Sequence, residues 1–194
     1  MVVEWSTANS ALAGTSGDVG VVVEFTNGAL AAVIDGLGHG EEARAAAVAA
    51  ERILVESPSG DVSELVRRCH EALRGTRGAV MSVASFNAPN QTMTWVGVGN
   101  VEGLLVRMNG PDEAIAMRGG TLGYMLPPLN PRTLHVKHGD TLVLASDGIR
   151  HGFKHEVLQL RTPGEIVAEV MAHFAKTSDD ACVVVARYVG EAAA

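Results

Sequence analysis

Aspartates stand at the ends of several apolar, strand-like runs of this sequence. Asp35 ends ALAAVID and Asp147 ends TLVLASD, and glycine follows each of them. Asp179 and Asp180 directly precede ACVVVARY, and Asp18 lies just before GVVVEF. An Asp-Gly pair is also ordinary turn chemistry, so any one pair alone predicts only a turn. Carboxylates at four strand ends together indicate a candidate site on rigid strand termini.

If these carboxylates meet in the folded chain, electrostatics restricts what they can do. Two carboxylates about 4 Å apart repel by about 4 kcal/mol at an effective dielectric of about 20, so a cluster must take up protons or cations. Oxygen ligands without cysteine favour Mg²⁺, Mn²⁺ or Ca²⁺ before zinc. Two such ions about 3.5–4 Å apart can activate a bridging water and neutralise a phosphoryl group. The pattern therefore favours hydrolysis of phosphate esters.

Other common signatures of catalysis and nucleotide binding are absent from the sequence. It has no GxxxxGK phosphate-binding loop. The stretches GLGHGEE and GVGNVEG both lack the third glycine of a dinucleotide-binding GxGxxG motif. Neither GxSxG nor HExxH occurs, which excludes the commonest serine hydrolase and zinc protease signatures.

Composition limits the class of protein further. A length of 194 residues predicts a single domain over residues 1–194, and 47% apolar residues suit a buried core. The net charge of −7 argues against partners such as nucleic acid or an anionic membrane. Cys69 and Cys182 are far apart and are expected to be reduced thiols. With neither a signal peptide nor a membrane span in evidence, we expect a cytoplasmic location.

The first half of the chain predicts three strands and then two helices. Strand-like runs occupy residues 2–6, 20–25 and 29–35, and Asn27-Gly28 predicts a hairpin between the last two. Acidic residues followed by alanines predict a helix from about Glu41 to Val55. Asp61 and Glu64 have the spacing of a capping box at the start of a second helix. That helix carries an apolar stripe of Val62, Leu65, Val66, Cys69 and Leu73.

The second half predicts short antiparallel strands, one helix and a final strand. The runs AVMSVASF, QTMTWVGVG, VEGLLVRM, EAIAMR and TLHVKHGDTLVLAS are β-like, and residues 119–131 are typical of a loop. Thr162, Pro163 and Glu165 predict the capped start of a helix, which buries its apolar side, and residues 181–188 form the closing strand. Because the strands are grouped and do not alternate with helices, we expect an α+β fold with antiparallel sheets.

At the same aspartates the sequence resembles the PPM family of metal-dependent, type 2C protein phosphatases, and within it the bacterial SpoIIE-like branch. The matching pieces follow the family's order along nearly the whole chain: SGD at 16–18, VIDGLGHG at 33–40, GVGNVEG at 97–103, RGGTLGYM at 118–125, LVLASDGI at 142–149 and SDDACVVVAR at 178–187. The resemblance implies an αββα sandwich, two antiparallel sheets flanked by helices, with a metal site at one edge.

The resemblance also implies a role for each aspartate. Asp35 would bridge two Mn²⁺ or Mg²⁺ ions, and the Gly36 carbonyl and Asp18 would complete the ligands of one of them. Asp147 and Asp179 would hold the other ion together with Asp35. A hydroxide between the ions would then attack phosphorus. Asp180 would be a neighbour of the ligands or of a third ion.

Two positions depart from the family pattern. Some members have a histidine directly after the Asp-Gly pair, a candidate general acid, but here Leu37 takes that place. His39 lies two residues further on, so an acid role for it competes with a position at the start of a helix. Cys182 stands where the family usually has threonine, which leaves the ligand at Asp179 unaffected.

The DGLGHG form, in a chain without a sensor or membrane domain, is similar to stand-alone phosphatases of bacterial stress signalling. The implied partners are phosphorylated proteins of the stressosome, its scaffold and antagonist. A phosphatase of another anti-sigma-factor antagonist is an alternative, as is an inactive, phosphoprotein-binding module of the same fold. A sensor-kinase-type ATPase is excluded, because its DxGxG box needs glycine where Leu37 and His39 stand.

Overall fold

A computed structural model gives the structure of the chain and describes residues 1–114, 118–152 and 162–190. Within these ranges the strands are β1 (Val3–Ser10), β2 (Asp18–Phe25), β3 (Gly28–Gly36), β4 (Ala79–Asn87), β5 (Thr92–Val98), β6 (Glu102–Val106), β7 (Glu113–Ala114), β8 (Arg132–His135), β9 (Thr141–Ala145) and β10 (Ala181–Tyr188). The helices are α1 (Glu41–Glu56), α2 (Val62–Ala72) and α3 (Pro163–Phe174).

The strands form two antiparallel sheets of five strands each. Sheet A has the order β1-β10-β9-β6-β7, and sheet B has the order β2-β3-β4-β5-β8. The predicted α+β class with antiparallel sheets is therefore confirmed. The predicted hairpin is confirmed as well: Phe25 pairs with Gly28, and Asn27 has a φ of 63°.

Three apolar clusters hold together the two sheets and the helices that flank them. One lies between the sheets and contains Trp95 from sheet B and Leu144 from sheet A. A second joins sheet B to α1 and α2, and a third joins sheet A to α3. Each sheet thus has one face against the other sheet and one face against helices. This is the αββα order that the resemblance implied.

The helices begin and end close to their predicted bounds. Helix α1 follows Gly40 and opens with Glu41 and Glu42, whose charges suit the positive end of a helix. The Asp61 side chain accepts a hydrogen bond from the Glu64 backbone N–H at 3.0 Å, and the predicted apolar stripe of α2 is buried. Thr162 and Glu165 form the predicted capping box of α3.

Two predicted strands differ in the structure. The run TLHVKHGDTLVLAS divides into β8 and β9, which belong to opposite sheets. Asp140 causes the break, because its carboxylate accepts from the backbone N–H groups of Lys137 and Met108 at 3.0 Å and bonds the Arg107 side chain. In the run EAIAMR, strand β7 covers Glu113–Ala114, and residues 115–117 lie outside the described part of the chain.

In the described part of the chain, none of the helices combines the length and apolar character that a membrane crossing requires. Both cysteines are buried and free, as the sequence predicted.

The loops after β9 and before β10 pack tightly together, and Gly148 makes this contact possible. A Cβ at Gly148 would lie 1.7 Å from the Asp180 carbonyl oxygen. The Gly148 carbonyl also accepts from the Lys176 N–H at 2.8 Å. The absence of a side chain therefore lets the two aspartate-bearing loops approach each other.

We expect Gly148→Ala to destabilise the fold, since the clash is with backbone and cannot be relieved by a rotamer change. The expected cost is about 3 kcal/mol or more, which lowers Tm by roughly 10 °C. Gly164→Ala is the matched control: it lies in α3, an added Cβ there meets nothing within 4 Å, and alanine favours helix. Thermal unfolding checks the pair, and equal Tm values in both variants would contradict this view of the loop contact.

Candidate metal centre

The ends of four strands bring the predicted aspartates to one edge of the sandwich. In sheet B, Asp18 at the start of β2 is the cross-strand neighbour of Asp35 near the end of β3. In sheet A, Asp147 follows β9 and Asp179 precedes β10, and these two strands are antiparallel neighbours. Each sheet therefore contributes two carboxylates from adjacent strand termini.

A cleft of about 460 Å³ opens at this edge. Three of the four aspartates line it, namely Asp35, Asp147 and Asp179. Asp18 lies behind them and is only 2% exposed. The remaining wall residues are Leu12, Leu37, Gly38, His39, Val80, Asn100, Thr121 and Ser178. The described wall thus carries carboxylates and neutral polar groups, without lysine or arginine.

Burial and mutual repulsion strongly disturb the Asp18–Asp35 pair. Loss of hydration, with the charges of Asp18, Asp147 and Asp179 acting in the same direction, raises the pKa of Asp35 to about 8. Burial likewise raises the pKa of Asp18 to about 6, although the Ser146 hydroxyl, which donates to Asp18 Oδ2 at 2.6 Å, opposes the change. With a pKa of about 8, the Asp35 carboxyl group holds a proton near neutral pH when no cation is present.

Asp147 and Asp179 are held by different partners. The Asn100 side-chain amide donates to Asp147 Oδ2 at 2.7 Å, and the Lys176 ammonium group bonds the Asp147 backbone carbonyl. Asp179 Oδ1 accepts from the backbone N–H of Asp180 at 3.0 Å. Each carboxylate keeps one oxygen that these hydrogen bonds do not use.

Asp180 has different hydrogen-bond partners from those of Asp179. Its two oxygens accept from the backbone N–H groups of Leu12 and Gly17, each at 2.7 Å, and the residue is 4% exposed. Asp180 thereby ties the segment between β1 and β2 to the start of β10. Since both oxygens are engaged with backbone donors, this residue is suited to shaping the cleft wall and not to ligating an ion.

The donor set fits a hard divalent ion. Within the described residues, no three acidic, histidine or cysteine side chains already surround a single point in a finished coordination geometry. Mg²⁺-like ions do not need three, because they are commonly held by one or two carboxylates and complete their shell with water. A cation beside Asp35 would also replace the proton that repulsion otherwise forces onto the pair.

Gly36 and His39 follow Asp35 and lie at the same edge. Gly36 is buried, and its N–H donates to the Gly17 carbonyl at 3.2 Å, which fixes the turn after β3. A Cβ at Gly36 would lie 2.1 Å from the Ala43 carbonyl oxygen, so only glycine fits against α1. His39 is exposed, precedes α1 and lines the cleft. It therefore lies both near the start of the helix and within the site, the two alternatives that the sequence left open.

Sequence reasoning missed two residues that position the aspartates. Asn100 holds Asp147 from the link before β6, which pairs with β9, and Ser146 joins Asp18 to β10 by also accepting from the Cys182 N–H at 2.8 Å. Both belong to stretches already identified, GVGNVEG and LVLASDGI, but neither is a metal-ligand type. The only signal in the sequence was that each of them can form side-chain hydrogen bonds and lies within a matching stretch.

The raised pKa values predict how the stability of the metal-free protein depends on pH. An acid whose pKa is higher in the folded state stabilises the fold fully below its unfolded value, here 3.8, and loses that contribution as pH rises through the folded value. The metal-free protein should therefore lose stability progressively between about pH 4 and pH 8, from the unfolded pKa of 3.8 to the folded values of about 6 for Asp18 and about 8 for Asp35.

Urea unfolding in the presence of a chelator checks this prediction. Asp35→Asn is the matched variant, because it removes the most strongly shifted group, and its unfolding free energy should fall less over the same pH range. A wild-type protein more stable at pH 9 than at pH 5 would contradict the assignment of these two carboxyls.

Comparison with known proteins identifies the family of this chain. The sequence model of stage II sporulation protein E (SpoIIE) matches residues 26–189. Phosphoserine phosphatase RsbX of Bacillus subtilis (strain 168) is 28% identical over 120 residues, which are 62% of this chain and 60% of RsbX. The match thus spans less than two thirds of the length of RsbX.

Several solved structures have the same fold as this chain. A structure from work on the bacterial stressosome, described as a modular system adapted to control secondary messenger signalling, superposes with a TM-score of 0.90 at 29% identity, over 95% of this chain and 99% of the other. RsbX in complex with magnesium gives 0.86 at 22% identity, over 97% and 100%. The catalytic domain of the serine threonine protein phosphatase PstP with 2 manganese ions gives 0.77 at 17%, over 97% and 99%.

The last two likenesses establish the αββα phosphatase fold. The family match is independent of them and extends over far more than half of the chain. The chain therefore belongs to the family of stage II sporulation protein E.

Proposed function

We propose that this chain is a protein phosphatase that uses two Mn²⁺ or Mg²⁺ ions to hydrolyse phosphoserine or phosphothreonine in other proteins. The observation that carries the proposal is the convergence of Asp18, Asp35, Asp147 and Asp179 from both sheets on one open cleft. The matches to RsbX, a phosphoserine phosphatase, and to metal-bound phosphatase structures support it.

The ions would be held by Asp35, with Asp18 and the Gly36 carbonyl on one side and Asp147 and Asp179 on the other. When bound, two such ions supply an activated water and neutralise charge on a phosphoryl group. The chain's own part is to hold the carboxylates in place. Asn100 orients Asp147, and Ser146 orients Asp18, by the hydrogen bonds described above.

Neutral donors in the cleft wall would orient the phosphoryl group. Asn100, Thr121 and Ser178 line the cleft, and the lining residues that the structure describes include no lysine or arginine. Binding of the phosphate would thus depend on the ions for its charge and on these side chains for its orientation. An acidic cleft without ions should repel phosphate.

His39 is our candidate for protonating the serine or threonine oxygen as it leaves, because it is an exposed imidazole in the cleft wall. We expect His39→Gln to lower kcat by about 10²-fold on a phosphoserine peptide. On para-nitrophenyl phosphate it should change kcat little, since that leaving group needs no proton. Parallel assays of the two substrates check the assignment, and equal effects on both would refute it.

The proposed substrates are phosphorylated proteins of a bacterial stress-signalling pathway, the stressosome scaffold and its antagonist. The similarity to RsbX and to the stressosome structure supports this choice. We propose a single catalytic domain over residues 1–194 that acts in the cytoplasm, where the buried, unpaired Cys69 and Cys182 would remain reduced.

Phosphate release in the presence of Mn²⁺ tests the function directly. The protein should release phosphate from para-nitrophenyl phosphate and from phosphorylated stressosome scaffold. Release from an unrelated anti-sigma-factor antagonist but not from the scaffold would overturn the substrate assignment and keep the activity. Tight binding of phosphoproteins without release from any substrate would overturn the activity and favour an inactive binding module.

A further inference from the structure

Exposed apolar side chains are concentrated at the mouth of the acidic cleft. Leu12 and Leu37 line the cleft and are 44% and 38% exposed. Tyr124 and Met125 are 67% and 62% exposed. Met125 is joined to the cleft residue Thr121 by two backbone hydrogen bonds of 2.9 Å, so it lies directly beside the opening. Four of the large exposed apolar residues therefore border one site.

The segment that presents Tyr124 and Met125 is firmly anchored. Leu122 is fully buried and exchanges backbone hydrogen bonds with Ala79, next to the start of β4. The Gly123 N–H donates to Nδ1 of the buried His70 at 3.1 Å. The Tyr124 hydroxyl donates to the Thr76 carbonyl at 2.8 Å. An exposed aromatic ring held in this way can bind a partner with little further loss of conformational freedom.

A second cleft of about 450 Å³ continues from this mouth. It lies between α1 and residues 75–77, with Ala45, Ala46 and Tyr124 in its wall. The two clefts are neighbours, because the Leu37 N–H donates to the Gly78 carbonyl at 3.0 Å and the Arg77 guanidinium lies against Gly38. Leu37 thus lies in the wall of the first cleft and Tyr124 in the wall of the neighbouring second cleft, which Arg77 also lines.

The charges around the second cleft cancel each other. Glu42 and Arg77, which both line it, form an ion pair of 2.5 Å. The apolar groups that a partner can contact here are the Tyr124 ring and the methyl group of Ala45, since Ala46 is fully buried. Aromatic residues and methionine are enriched in the cores of protein interfaces, whereas unpaired charges are depleted there. The surface thus suits aliphatic side chains and not acidic or basic ones.

We propose that Leu12, Leu37, Tyr124, Met125 and the second cleft form a docking surface for aliphatic residues that flank the phosphorylated serine or threonine of a protein substrate. The inference rests on the proposed function, because the acidic cleft is what places the phosphorylated residue at the mouth. Its continuity with that cleft selects this occupant. A peptide entering with its phosphate among the aspartates has its neighbouring residues within reach of the mouth.

Peptide binding tests the docking surface without any turnover. The probes are two labelled short peptides with a phosphonate analogue of phosphoserine, flanked on both sides by leucine in one and by serine in the other. In the presence of Mn²⁺ the wild-type protein should bind the leucine peptide about tenfold more tightly in fluorescence anisotropy. Tyr124→Ser should abolish most of this preference. Met108→Ser is the matched control, since Met108 is a similarly exposed apolar residue, 42%, outside both clefts.

Equal affinity for the two peptides, failure to bind either, or a preference that survives Tyr124→Ser would overturn the docking surface. A change of oligomeric state in Tyr124→Ser with an unchanged peptide preference would overturn it too, and would make this face a contact between copies of the chain. Hydrolysis of para-nitrophenyl phosphate separates the two proposals. Tyr124→Ser should keep this rate, and a wild-type protein that discriminates the peptides without this hydrolysis would retain the docking surface but not the proposed function.

Discussion

Replacing Asp35 or Asp147 by asparagine is expected to lower the Mn²⁺-dependent rate of phosphate-ester hydrolysis by at least about 10²-fold. Asp35 lies where the charges of Asp18, Asp147 and Asp179 all act on it, so its carboxylate has the largest share in attracting cations. Asp147 provides the carboxylate of sheet A that Asn100 holds in the cleft. Asparagine preserves the size of each side chain but removes its negative charge.

Asp61→Asn is the matched control for both variants. This substitution removes the same charge at the N-cap of α2, at a residue that does not line the cleft. Asparagine caps a helix as well as aspartate does. Its rate should equal that of the wild-type protein. Steady-state kinetics of the three variants decides the matter, and wild-type rates for Asp35→Asn and Asp147→Asn would mean that the site has been assigned to the wrong carboxylates.

Removal of divalent ions is expected to abolish hydrolysis and to make the fold less stable. Mn²⁺ at about 100 times its Kd should stabilise the protein by about 2.7 kcal/mol, which corresponds to a Tm increase of roughly 5–10 °C. The physical reason is that burial and then mutual repulsion raise the pKa values of Asp18 and Asp35, and a bound cation offsets both effects. Activity and thermal unfolding are measured in chelator and again after Mn²⁺ is restored.

The Asp35→Asn variant separates ion binding in the cleft from nonspecific binding elsewhere on an acidic chain. Its Tm should rise much less with Mn²⁺ than that of the wild-type protein. An equal rise in both proteins would place the stabilising ions outside the cleft. Turnover that continues undiminished in chelator would contradict the two-ion mechanism itself.

The sequence predicted most of the elements because its local signals agree with the tertiary structure. The Asn27-Gly28 turn, the Asp61 cap and the Thr162–Glu165 capping box each act within a few residues. The run containing Asp140 was misjudged for a physical reason: its break depends on Arg107 and Met108, which are distant in sequence. Local alternation of apolar residues cannot reveal such a contact.

For the candidate site, the sequence supplied the aspartates but not their supports. Strand-end position and motif order pointed to Asp35 and Asp147, and the structure brings both to one cleft. Asn100 acts through a single hydrogen bond that depends on the pairing of β6 with β9, and this pairing cannot be read from local sequence spacing. The resemblance set Asp180 apart from the ligand Asp179, and the backbone donors of Leu12 and Gly17 now show what its carboxylate holds.

The convergence of acidic side chains around divalent ions is tested most directly by anomalous diffraction from crystals grown with Mn²⁺. We predict two manganese peaks in the cleft, with Asp35 between them, Asp18 beside one and Asp147 and Asp179 beside the other. A well-ordered map in which these four carboxylates surround no anomalous peak would contradict the account, whatever the fold around them.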